Sequence, residues 1–163
     1  MKTTNSSNST DLWRDTPIRF VGYANEVGEA FRSVYPKYLR LSYIVAFGYV
    51  GCDAADKIYR AINDGASNET TIKIGADVLI WQTFASVIIP GKTIHLIASA
   101  TNYSVNKLRI FSHLPFAIRK WAPTAVGLVS IPLIIHPIDT FVTNTMDQTV
   151  RKWNWTQMKM NSN

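Results

Sequence analysis

Metal ligation, thiol chemistry and acid–base catalysis are the chemistries that the reactive side chains of this sequence invite. Its three histidines, His95, His113 and His136, are not spaced i,i+4 with one another or with a carboxylate, so no helical turn offers that ligand pair to a metal. His95 and His136 each follow an Ile-Pro pair near an expected helix end, where capping or interfacial hydrogen bonding is the predicted role. The single cysteine, Cys52, excludes an intrachain disulfide and a thiolate cluster within one chain. Its place in an apolar run predicts a packed, inert thiol. Asp53, Asp56 and Asp77 could gather as a carboxylate cluster for catalysis or cations. Their positions beside apolar runs predict instead that they cap helix ends and mark the less positive face of a membrane. The glycines, scattered from Gly22 to Gly127, form no phosphate loop or dinucleotide fingerprint. Neither an enzyme nor a cofactor is expected.

Two groups suit binding rather than catalysis. Lys107, Arg109, Arg119 and Lys120 are the densest cationic group; they read as anionic-lipid contacts, each worth about 1 kcal/mol near a charged surface, or as an ordinary orientation signal. Asn25, Glu26, Gly28 and Glu29 form the second group. Asn25 and Glu26 are not needed for an apolar stripe, so they read as a partner- or lipid-facing surface, or simply as a solvated face. Ala24 and Gly28 are a small-xxx-small pair that lets another helix approach closely.

These residues need elements to hold them. The chain has 163 residues, 47% apolar and only 17% charged, with 17 basic and 11 acidic side chains giving +6. That suits one domain and leaves intrinsic disorder to the tails, residues 1–10 and 156–163. The cations sit singly or in pairs at the edges of apolar stretches, the pattern of a membrane protein and not of a nucleic-acid stripe. No nucleic-acid partner is expected. The fold class predicted is all-α: a multi-pass helical membrane protein with amphipathic interfacial helices, in a single domain over residues 11–155.

Residues 13–33 predict an amphipathic helix, capped at Asp15 or Thr16, opened by Pro17 and stopped by Pro36. Phe20, Ala24, Val27, Phe31 and Tyr35 draw its apolar stripe. The uncharged runs are 41–52, 78–91, 93–106 and 121–138. Crossing about 30 Å of hydrocarbon takes about 20 helical residues, so only the last qualifies unaided. Extension gives spans at about 38–59, 74–91 and 121–138. Pro90-Gly91 should end or kink the second, and residues 93–109 are either a fourth span or an interfacial helix. Trp121 anchors the third span, Pro132 kinks it, and His136-Pro137 closes it, leaving Asp139 to cap a surface helix through Trp153. Basic residues number 6, 3, 5 and 3 before, between and after these spans. That alternation puts the N-terminus and residues 92–120 on the positive side. A weak echo, Trp81…Ile89-Pro90…Ile94-His95 against Trp121…Ile131-Pro132…Ile135-His136, keeps open a transporter or channel component. The shortness of three runs keeps open a soluble bundle.

The stretch from Gly22 through Tyr23-Ala24-Asn25-Glu26-Val27-Gly28-Glu29-Ala30-Phe31 to Arg32 resembles the mitochondrial fission process protein family, also called the mitochondrial 18 kDa protein. So do Trp81-Gln82, Ile89-Pro90-Gly91-Lys92-Thr93-Ile94, Ala117-Ile118-Arg119-Lys120-Trp121, and Ile131-Pro132 with Ile134-Ile135-His136-Pro137-Ile138-Asp139. The resemblance runs in order over about residues 11–155. It implies a non-enzymatic multi-pass protein of the mitochondrial inner membrane, needed for fission and a normal network, with effects on apoptosis sensitivity. Its partners would be membrane lipids, cardiolipin among them on the matrix side, and other inner-membrane proteins. The lack of a presequence agrees with internal targeting. Residues 62–71, both tails and His95, where the family leads one to expect Asn, depart from the pattern and inherit no role.

Overall fold

The computed structural model describes residues 13, 16–108 and 113–152. Every regular element among them is helical. Thr16 opens the first: its hydroxyl accepts the Ile18 N–H at 3.3 Å, and Pro17 starts a 3-10 turn, Pro17–Tyr23, whose missing N–H costs nothing there. The turn passes into α1 (Ala24–Ala30). The helix expected to run to Pro36 therefore ends sooner, and Pro36 opens a new 3-10 turn, Pro36–Tyr38, that leads into α2 (Leu39–Asn63). Pro17 and Pro36 both stand at the start of a helical segment, the position where proline fits best. Gly65, at φ +76°, makes the turn out of α2, a conformation that side-chain-bearing residues rarely adopt. Ser67 then caps α3 (Asn68–Gln82) by accepting the Thr70 N–H.

Pro90 does not end the next helix. A π segment, Thr83–Ile88, joins α3 to α4 (Ile89–Lys107), and the whole forms one 40-residue helix, Asn68–Lys107. The reason is local. Pro90 has no N–H for the carbonyl four residues back, and the chain widens to an i→i+5 pattern just before it, with the Ile89 N–H donated to the Phe84 carbonyl. A continuous helix cannot reverse direction, so residues 93–107 extend the preceding helix and form no separate fourth span. α5 (Phe116–Gln148) likewise runs through Pro123, Pro132 and Pro137. The closure expected at Pro137 and the new cap expected at Asp139 do not occur, and Trp153 lies outside the described residues.

The helices pack as antiparallel neighbours. Gly75 faces Ile58, and Gln82 meets Asp53, across α2 and α3. Ile94 lies by Gly127, while Trp81 donates to the Thr143 hydroxyl at 3.0 Å, running α5 back along α3–α4. α1 is wedged among α2, α4 and α5. The apolar core comes in three patches, around Trp81 and Met146, around Tyr49 and Val87, and around Ala30 and Ile94. Arg151 ties the far ends together, pairing with Asp77 and Asp147 at 2.7 Å each.

The distribution of polarity departs from that of a soluble protein in two respects. Asn25, Glu26, Glu29, Asp53 and Gln82 are buried, whereas Phe20, Phe116, Leu133 and Phe141 are more than half exposed. The helices Asn68–Lys107 and Phe116–Lys152 are long and apolar enough to cross a membrane, and the most apolar stretch of the second is largely exposed. In water such a surface would leave extensive apolar area unburied.

Candidate functional site

The polar interior begins on α1. Its short length and its crossing against three longer helices turn the Asn25–Glu26–Glu29 face inward, each residue being no more than 2% exposed. The apolar stripe turns outward instead, with Phe20 73% exposed and Val27 and Tyr35 also on the outside. This corrects the expectation that Asn25, Glu26 and Glu29 form a partner-facing or solvated surface. Neighbouring helices supply polar partners inside for the Asn25 amide and for Glu29. Gly28, half-buried, serves as the small-residue rule suggests: a Cβ there would lie 2.6 Å from Ser42 Cβ, so only glycine lets α1 come this close to α2.

Three settings follow from that burial. The Asn25 amide donates to the Val87 carbonyl at 3.0 Å, in the π segment just before Pro90. Gly91 provides the room, since a Cβ there would stand 2.7 Å from Asn25 Nδ2. Glu26 has no exposure, and neither carboxyl oxygen has a hydrogen-bond partner among the described residues. α1 is not itself a spanning helix, and burial pushes the Glu26 carboxyl up to about 8, so it carries a proton at neutral pH. Glu29 is saturated by contrast. It accepts from the Tyr43 hydroxyl at 2.9 Å, pairs with Arg32 at 2.9 Å and meets His95 Nδ1 at 3.2 Å.

A second polar cluster joins α2 to the π segment. Gln82 donates to Asp53 at 2.5 Å and accepts from Ser86 at 2.6 Å, and Lys57 pairs with Asp53 at 2.7 Å. The acidic residues thus brace neighbouring side chains and cap no helix: Asp53 holds Gln82 and Lys57, Asp56 holds Arg60 and the Trp13 indole, and Asp77 holds Arg151. Cys52, expected to be packed, is exposed on α2, because the face of α2 opposite Asp53 has no helix on it. His113 and His136 are exposed, and neither joins the His95–Glu29 contact. His136 is exposed on α5, and Asp77 is ion-paired with Arg151.

The cationic group is partly gathered. Lys107 ends α4, and Arg119 and Lys120 lie in the first turns of α5, so the antiparallel pairing puts all three at one end; Arg109 lies outside the described residues. Lys107 and Lys120 are exposed, whereas Arg119 Nε is buried with no partner among the described residues. Phe31 and Tyr35 pack against the Trp121 ring at this same end, at 6.4 and 6.3 Å between centroids, an aromatic cluster next to cations of the kind found at membrane interfaces. Sequence reasoning missed the convergence of Arg32, Tyr43 and His95 on Glu29. Only the i,i+3 spacing of Glu29 and Arg32 hinted at it.

Fold and site together define an all-α protein with a hydrogen-bonded polar interior, an apolar exterior and two helices long enough to cross a bilayer. The chain belongs to the mitochondrial 18 kDa protein (MTP18) family, whose sequence profile matches residues 14–75 and 65–146. It is 48% identical over 161 residues to mitochondrial fission process protein 1 of Caenorhabditis briggsae, covering 93% of this chain and 98% of that one. Identity to the Homo sapiens protein of the same name is 46% over 148 residues, 87% of each chain. To that of Danio rerio it is 40% over 151 residues, 90% of each. No solved structure matches.

Proposed function

We propose that this chain is a non-enzymatic, multi-pass protein of the mitochondrial inner membrane that promotes fission by assembling with other membrane proteins, and so sets the balance of fission and fusion. The names of its relatives, mitochondrial fission process protein 1, support the process. One structural observation carries the membrane part: several carboxylate and amide side chains are buried while many large apolar side chains, Phe20, Phe116, Leu133 and Phe141 among them, face outward. Lipid accepts such a surface and water does not. In this reading α2, the Asn68–Lys107 helix and α5 are the spans, and the basic end carrying Lys107, Arg119 and Lys120 lies in the matrix. The exposed groove between α1 and α2, lined by Val27, Phe31, Tyr35, Leu41 and Val45, is the surface offered to a membrane partner.

Removal of the protein from cells should elongate the mitochondrial network, and re-expression should restore it, scored by imaging of a matrix marker. Re-expression of the double variant Arg119→Glu, Lys120→Glu should restore the network poorly, because reversed charge opposes the orientation and the contact with anionic headgroups. Full rescue, with unchanged lipid binding, would remove the role given to that end of the molecule.

A further inference from the structure

Between α1, α2 and α4 lies an open cavity of about 540 Å³, lined by Glu29, Arg32, Tyr43, Ile88, Lys92 and His95. Glu29 is the one carboxylate in this lining, and its oxygens are fully engaged. Oε1 accepts from Tyr43 at 2.9 Å and Arg32 at 3.2 Å; Oε2 takes Arg32 Nε at 2.9 Å and His95 Nδ1 at 3.2 Å. That leaves donors in excess. Lys92, exposed, has no hydrogen bond or ion pair among the described residues, and the Arg32 side chain is 44% exposed, so its outer N–H groups remain free. Two permanent cations face one carboxylate that has no acceptor capacity to spare.

We propose that this cavity binds a phosphate-type anion. Lys92 is its direct ligand, the outer edge of the Arg32 guanidinium is the second, and Glu29 with Tyr43 is the brace that fixes Arg32. A phosphodiester carries the single negative charge that neutralises the lining, and a guanidinium beside an ammonium is a donor set suited to phosphate oxygens. Ile88, the last residue of the π segment, and Leu96 on α4 are both exposed and stand one turn to either side of Lys92. They give the opening apolar flanks that acyl chains can follow. The anion source can therefore be a phospholipid headgroup or free phosphate; only the lipid source rests on the membrane reading above.

The experiment uses the full chain in nanodiscs of phosphatidylcholine, with two probes: phosphatidylglycerol doped into the disc, and inorganic phosphate added to the buffer. The readout is the probe concentration that raises the thermal midpoint half-way. A response to phosphatidylglycerol alone assigns the lipid source; a response to inorganic phosphate assigns the free anion. In either case Lys92→Gln should weaken the response about tenfold. Lys92→Arg should restore it, and Lys37→Gln, outside the lining, should leave it unchanged. Ile88→Glu is a second variant that places a carboxylate at the lip, and it should abolish the response without touching either cation. The proposal is overturned if neither probe shifts the midpoint, or if Lys92→Gln and Lys37→Gln lose the response equally. Because binding is read on purified protein, its failure is separable from failure of the fission role, which is read in cells.

Discussion

Glu26 and Gly91 concentrate what single residues contribute. Glu26 holds its proton with a pKa of about 8 when folded, against 4.5 as an ordinary carboxyl. The folded state therefore binds the proton more tightly, and stability is complete below pH 4.5 and falls as pH rises towards 8. Glu26→Gln should flatten that fall, measured as the thermal midpoint in detergent across the window; an unchanged slope would place the titration elsewhere. Gly91→Ala should cost about 1–3 kcal/mol, since the added methyl meets a hydrogen-bonded amide. Gly48→Ala, with nothing within 4 Å of the new methyl, should be neutral or stabilising by up to about 1 kcal/mol. Denaturation of the two variants side by side checks the contrast. At this scale the sequence was half legible. Residue types marked Asn25, Glu26 and Glu29 as unusual, but which way they face depends on helices distant in the chain. An Arg32–Tyr43–His95 gathering has no local signature.

Elements were more legible than their boundaries. Apolar periodicity, with Pro17 and Pro36, located the first helix and its end, because proline acts through local backbone geometry, whereas the left-handed Gly65 that closes α2 carried no reading in the sequence. Proline inside apolar runs misled the reading at Pro90 and Pro137. There a π segment and the packing of neighbouring helices carry the chain through, and neither shows in a short window of sequence. The ends of the long helices are held by charge. Arg151 bridges Asp77 on α3 and Asp147 on α5, with side chains 29–53% exposed. Solvent discounts the pair, so Arg151→Ala should lower stability by only about 0.5–1 kcal/mol, read by thermal unfolding in detergent. A loss several times larger would mean that this end is far less hydrated than its exposure implies.

For the whole molecule, the defining property is a mixed interior: Asn25, Glu26, Glu29, Asp53 and Gln82 are buried beside an apolar core, while many large apolar side chains face outward. Composition alone pointed to a membrane, through few charges and cations at the margins of apolar runs. It could not show that the most amphipathic segment would turn its polar face inward, since periodicity gives a face and never its direction. The buried polar groups add inter-helix hydrogen bonds to the three apolar core patches found among the described residues. Alkaline carbonate extraction of mitochondria carrying the native chain tests the membrane reading most directly. The protein should stay with the membrane pellet, and after detergent solubilisation it should aggregate once detergent is withdrawn. Release into the carbonate supernatant as a folded monomer, stable in plain buffer, would contradict lipid as the solvent of its outer surface.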